Sequence, residues 1–235
     1  MGRIVAIAGG NLSSTRKLNV HTIRLTNKTN PNVLFIGTAS HDAKGYIEAI
    51  TKEFHLLGCK VKSLCLCAKD YEQQETNYLL SWADIIYVGG GDTISMMQIW
   101  KQYGFDKKIK KIYEKDLAVL TGISAGAICW FHCGHSDSES FHDEDNWNFC
   151  WADGMLDIFP MAYCPHYNET GRNSFDKMLF EKDKDMIGLA MENDTAFVEN
   201  NGYQYFVRSN VNANAFIIKY PNGIMEKQKV SFKAL

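Results

Sequence analysis

Short apolar, β-branched runs alternate along the first half of the chain with longer stretches whose apolar residues recur at helical spacing. RIVAIAGG (3–10), NVLFIGTAS (32–40), KVKSLCL (60–66), DIIYVGGG (84–91) and LAVLTGIS (117–124) have the length and composition of buried strands. Between the second and third, KGYIEAITKEFHLLGC (44–59) repeats Tyr46, Ile47, Ile50, Phe54 and Leu57 along one helical face and offers Gly58 as its stop. YEQQETNYLLSWAD (71–84) and TISMMQIWKQYG (93–104) predict further helices, and the basic FDKKIKKIYEKD (105–116) predicts a helix with a solvated lysine face. Such alternation is the pattern of a largely parallel sheet with crossover helices on both faces. Beyond residue 185 the texture changes. MIGLAMENDTAFVEN, GYQYFVR and NAFIIKYPNGIMEKQKV are strand-like, with Asn-Gly turn signals at 201–202 and 222–223, and predict an antiparallel carboxyl-terminal extension of the core.

No linker or low-complexity tract interrupts the 235 residues, so one domain over 1–235 is expected. A net charge of −2 lacks the basic footprint of a nucleic-acid or anionic-membrane binder and points to a small-molecule partner. The apolar run of MGRIVAIAGG is too short to span a bilayer and reads as a first strand in a cytoplasmic protein. Seven cysteines with no CxxC pair suit reduced thiols in an intracellular compartment. A homo-oligomer is compatible with the sequence.

Candidate chemistry centres on Gly122-Ile123-Ser124-Ala125-Gly126, a G-x-S-x-G pentapeptide between a predicted strand and the helical run AGAICWF. A serine on such a strand-to-helix turn has its hydroxyl pushed out over the sheet end, and glycine and alanine leave room for the turn. The amide of Ala125 then faces the space where an oxyanion would form. The second glycine turn, Gly89-Gly90-Gly91-Asp92-Thr93, lacks the lysine of a phosphate-binding loop and the spaced glycines of a dinucleotide fingerprint; Gly90 or Gly91 is a candidate second oxyanion donor, with Asp92 or Thr93 as helix cap. Of seven histidines, His166 directly follows Pro165 after an apolar run, which places it at a strand end, where open α/β sheets keep their sites. It is the candidate base for Ser124. The loop 132–151 carries His132, Cys133, His135, His142, Asp143 and Asp145, but their spacing is irregular and no metal is expected. Trp147, Phe149 and Trp151 are expected to wall the cleft, and Cys129 and Cys133 to lie on the helix after Ser124.

With GTAS, YVGGGDT, GISAGAICW, SDS and CPHYNETGR in this order, the chain resembles the peptidase E family, the aspartyl dipeptidases and their cyanophycinase relatives. The resemblance implies a three-layer α/β/α sandwich similar to class I glutamine amidotransferase domains, with no cofactor. It implies Ser124 as nucleophile and His166 as base, and it offers two acids for the third position: Asp137 in GHSDSES, slightly favoured, or Glu192 in GLAMEN. It also matches Arg172 in ETGR to the arginine behind the family's preference for acidic residues. The substrate so implied is a short peptide, foremost a dipeptide with an amino-terminal aspartate. Another amide such as the β-linked peptides of cyanophycin, or a binding role without turnover, are the alternatives.

Overall fold

The structure, a computed structural model, describes residues 2–67, 72–142 and 148–235. The five predicted strands form as β1 (Arg3–Ile7), β2 (Asn32–Ile36), β3 (Lys60–Leu64), β4 (Ile85–Val88) and β5 (Val119–Ile123). They run parallel to one another in the order β1-β5-β4-β2-β3. On the open side of β1 the sheet is extended by β10 (Thr195–Asn200), β11 (Tyr203–Arg208) and β14 (Phe232–Lys233), with β10 antiparallel to both β1 and β11. The β10–β11 hairpin closes on Asn201 and Gly202 at φ 52° and 93°, the left-handed backbone that its Asn-Gly signal predicts.

Helices cover both faces. On one, Leu18 of α1 (Arg16–Leu25) and Ile50 and Phe54 of α2 (Lys44–Leu56) pack on Val5, Ile7, Val33, Phe35 and Tyr87. Gly58 takes φ 83° just beyond α2, as its stop position requires. The other face meets α3 (Gln73–Trp82), α4 (Thr93–Gln102) and α5 (Phe105–Glu114) through Leu79, Met96, Trp100, Phe105 and Ile109. In α5 the buried residues are Phe105, Ile109 and Ile112, one stripe three to four residues apart, while its lysines turn outward.

A second sheet was not legible in the chain's pattern. After the short α6 (Ala125–Ile128) come β6 (Phe131–Ser136), β7 (Cys150–Asp153), β8 (Phe159–Cys164) and, beyond α7 (Ser174–Lys182), β9 (Gly188–Met191), β12 (Ala215–Lys219) and β13 (Glu226–Lys229), ordered β13-β12-β9-β8-β6-β7. Its Phe131, Phe159 and Tyr163 join the core beneath the first sheet, where Phe159 meets Phe197 of β10 edge-on at 5.0 Å between centroids. On its far side Phe175 and Leu179 of α7 pack against Cys164 and Ala190. The helix expected over AGAICWF is thus only one turn long, and Cys133 lies on a strand; the chain turns at Cys129 and Trp130 because residues from Phe131 onward pair with β8. Likewise MIGLAMENDTAFVEN is two strands in different sheets, broken at Glu192–Asp194. No helix among the described residues is long and apolar enough to cross a membrane.

Candidate active site

Ser124 follows β5 directly and caps α6 with φ 56° and ψ −115°, a conformation that costs a non-glycine residue about 1–3 kcal/mol and persists only under surrounding constraint. The constraint is visible in the two flanking glycines. A Cβ on Gly122 would run into the Gly126 backbone, and one on Gly126 would meet the carbonyls of Val88 and Gly89, so strand, turn and helix pack with no side chains between them. Ile123 is paired with Ile7 of β1, and Gly122 with Val88 of β4. The serine therefore sits between two glycine turns, Ala8-Gly9-Gly10 after β1 and Gly89-Gly90-Gly91 after β4.

The first of these turns carries the histidine. His166 stands two residues beyond β8 with φ 54°, and the next amide, Tyr167 N, donates to Met191 O at 2.9 Å, joining this turn to the end of β9. The imidazole lies on Gly9, where a Cβ would stand 2.3 Å from Nδ1. Its Nδ1 is 2.7 Å from Asn193 Oδ1 and 3.1 Å from Glu169 Oε1. Asn193 Nδ2 donates to the same Glu169 oxygen at 2.9 Å, which fixes the amide with its carbonyl toward the ring. Nδ1 consequently carries the proton and donates, leaving Nε2 as the basic nitrogen. The hydrogen bond from His166, reinforced by Asn193 and by the charges of His166 and Arg172, holds the Glu169 carboxyl down at about 2, although its side chain is half exposed. No hydrogen bond joins Ser124 to His166 among the described residues.

Neither carboxylate offered for the third position touches the imidazole. Asp137 pairs instead with Arg172, Oδ2 to Nη2 at 3.2 Å, and Glu192 accepts from Asn214 through its backbone amide at 2.7 Å and Nδ2 at 3.1 Å. Glu192 is diverted because it sits where the chain passes from β9 toward β10, and its carboxylate secures the residue before β12. The imidazole's partners, Glu169 and Asn193, lay in quoted stretches: three residues after His166, and next to Glu192.

Arg172 is only 3% exposed. Besides Asp137, its Nη1 donates to His135 O at 2.9 Å, and its guanidinium stacks 4.6 Å from the Phe149 ring; Nε is buried without a partner among the described residues. His135, fully buried against this cation, has its pKa pushed down to about 3, first by desolvation and then by Arg172. It is neutral, with Nδ1 facing Arg172 as acceptor and Nε2 donating to Ser174 Oγ at 3.0 Å.

The oxyanion candidates differ in what they already bond. Gly90 N donates to Tyr46 Oη at 3.2 Å. Gly91 takes φ 135°, and a Cβ there would strike the Ala39 carbonyl. Ala125 is the first residue of α6, so its amide has no partner within the helix. Asp92, wholly buried, caps α4 by accepting from Ser95 N at 3.0 Å, and also accepts from His142 Nε2 at 2.9 Å. The other loop residues point to separate partners: His132 to Asp157, Cys133 to Met186. Trp151 packs against Phe175 of α7, while Asp143, Asp145 and Trp147 lie outside the described residues.

Comparison with known proteins bears on the fold and the family. The solved peptidase from an acI-B1 Actinobacterium superposes with a TM-score of 0.72 over 100% of this chain and 96% of its own, at 21% identity. A structure from Listeria monocytogenes EGD-e, provisionally described as a peptidase E protein, gives 0.64 over 88% of this chain and 98% of its own, also at 21%. At that identity both speak for the fold. In sequence, the uncharacterized peptidase YgaJ of Bacillus subtilis (strain 168) is 31% identical over 171 residues, 72% of this chain and 70% of its own length. The model of peptidase family S51 matches residues 4–205, a span that holds both the strained serine and the histidine, and the chain belongs to that family of serine peptidases.

Proposed function

We propose that the protein hydrolyses short peptides through an acyl-enzyme on Ser124, with His166 as base and Glu169 and Asn193 together in the orienting role. The observation that carries this is the commitment of His166 Nδ1 to Asn193 and Glu169, with the ring against Gly9 in the turn after β1, whose strand pairs with the one that leads into the strained Ser124. A triad is defined by roles and not by chain order, and an asparagine serves in the third position of some cysteine peptidases. In this reading Nε2 takes the Ser124 proton as Oγ attacks the scissile carbonyl, and Glu169 offsets the imidazolium charge. The proton passes to the leaving amine, and water repeats the sequence on the ester. Ala125 N–H faces the oxyanion.

For the substrate, a dipeptide with an amino-terminal aspartate remains the reading to test, with Arg172 as its recognition group. Asp137 already occupies that guanidinium, so an incoming aspartate competes with an internal carboxylate and the preference is modest. The test is modification by a fluorophosphonate together with hydrolysis of Asp-Leu and Leu-Leu. Labelling of wild type but not of Ser124→Ala supports the mechanism; an unreactive wild type refutes it. Equal turnover of the two dipeptides would remove the aspartyl preference alone.

A further inference from the structure

The amide of Gly90, which its place in the glycine turn offers to an oxyanion, is spent on a side chain from another element. Tyr46, in the first turn of α2, accepts it at 3.2 Å. Gly90 itself runs alongside the nucleophile: a Cβ there would stand 3.3 Å from Ser124 Cβ and 3.9 Å from Oγ. The phenol thus reaches to within one hydrogen-bonded group of the serine's flank. Its ring is held in place. Phe35 meets it edge-on at 5.2 Å between centroids, and the bare Cα of Gly89 leaves it room, since a Cβ there would be 2.9 Å from Cε1.

A phenol has one proton to donate and lone pairs to accept with. Gly90 N–H takes up a lone pair, while the Tyr46 O–H donates to no described group. Burial pushes the phenol pKa up, so this proton is retained at neutral pH and the group is a donor, not a base. An amide bonded to the phenol oxygen polarises the O–H and strengthens it as a donor.

We propose that Tyr46 is an oxyanion donor of the Ser124 reaction, its O–H directed at the tetrahedral oxygen, with Gly90 N–H bonded behind it and Ala125 N–H as the companion donor. This rests on the serine-peptidase mechanism proposed above. The phenol keeps its proton throughout; the proton that moves travels between Ser124, His166 and the leaving amine.

The test is Tyr46→Phe, which removes one oxygen and keeps the ring. Removing an oxyanion donor costs about 100-fold or more in kcat, so kcat falls by that order while KM stays within about twofold. A peptide aldehyde, which forms a tetrahedral adduct with Ser124, loses affinity by a similar factor, whereas a non-covalent product peptide does not. Thermal unfolding and the fraction of molecules finally labelled by a fluorophosphonate report whether the variant is folded. A folded variant with kcat within threefold of wild type, or faster because Gly90 N–H is released to bind the oxygen directly, overturns the proposal. So does a parallel loss of aldehyde and product binding, which would show a merely structural tyrosine. Should Tyr46→Phe unfold, Tyr46→Trp repeats the measurement with another aromatic lacking the phenol. A wild type inert to the fluorophosphonate would fail the serine mechanism itself, and the tyrosine assignment with it.

Discussion

Alanine at position 9 would displace the imidazole while sparing the fold. Its Cβ would stand 2.1 Å from Asn193 Oδ1, 2.3 Å from His166 Nδ1 and 2.4 Å from His166 Cε1. Non-bonded heavy atoms settle at about 3.5 Å, so the ring and the amide must retreat by about 1 Å. Gly9 is not among the glycines with positive φ, so the backbone accepts alanine without strain, and the groups that must yield are side chains at a partly exposed edge. The melting temperature should therefore move by no more than a few degrees. A misplacement of about 1 Å in a catalytic group costs about 100-fold, which is about 2.7 kcal/mol of transition-state stabilisation. Two assays read this: kcat/KM on a dipeptide, and the second-order rate of fluorophosphonate modification, which needs the base but not the substrate's side chain. Both should fall together by about 100-fold. Rates within threefold of wild type in a folded Gly9→Ala protein would refute the placement of His166 over Gly9, or its role as base.

Three further outcomes follow from the same geometry. Asn193→Ala removes the direct acceptor of Nδ1 and lowers kcat/KM by about 100-fold, whereas Glu169→Gln keeps a hydrogen-bonding group and loses about tenfold; in the double variant the losses should be less than multiplicative, since both residues act on one imidazole. Asp137→Asn leaves Arg172 short of its counter-ion, so the ratio of kcat/KM for Asp-Leu over Leu-Leu should rise at least about tenfold, and an unchanged ratio would show that substrate never meets this arginine. Acid should destabilise the protein through His135. Unfolded, it protonates near 6.5, while folded it stays neutral down to about 3, so its contribution is present above pH 6.5 and is lost as pH falls from 6.5 to 3. The loss amounts to up to about 4 kcal/mol, read as the slope of unfolding free energy against pH in urea melts, and a His135→Phe protein that keeps the full slope would contradict it.

Much of the fold was written in local pattern. The five parallel strands, the helices that cross between them, the one-sided α5 and the Asn-Gly hairpin are dictated by periodicity and turn chemistry that act within a few residues. The strained serine was legible for the same reason, because G-x-S-x-G names the residues small enough for the turn. Of the second sheet, β9, β12 and β13 lie in segments that pattern marks as strand-like, but β6, β7 and β8 escaped it. In FHCGHS the buried positions include His135 and Ser136, polar residues whose partners include Ser174, Arg172 and Thr93 from distant segments, so no apolar alternation marks the strand.

The partners of the site were beyond local pattern altogether. Chain order offers Asp137 and Glu192 to His166 on similar terms and passes over Glu169. The choice falls to Glu169 and Asn193 because the β8 and β9 ends are tied by Tyr167 N and Met191 O, and because Gly9 leaves space for the ring against both. The same second sheet carries Asp137 to the buried Arg172, which needs a counter-charge where water cannot supply one. Residue types thus determined which groups could do the chemistry, while long-range packing determined which of them meet, since a hydrogen bond depends on positions set by segments far apart in the chain.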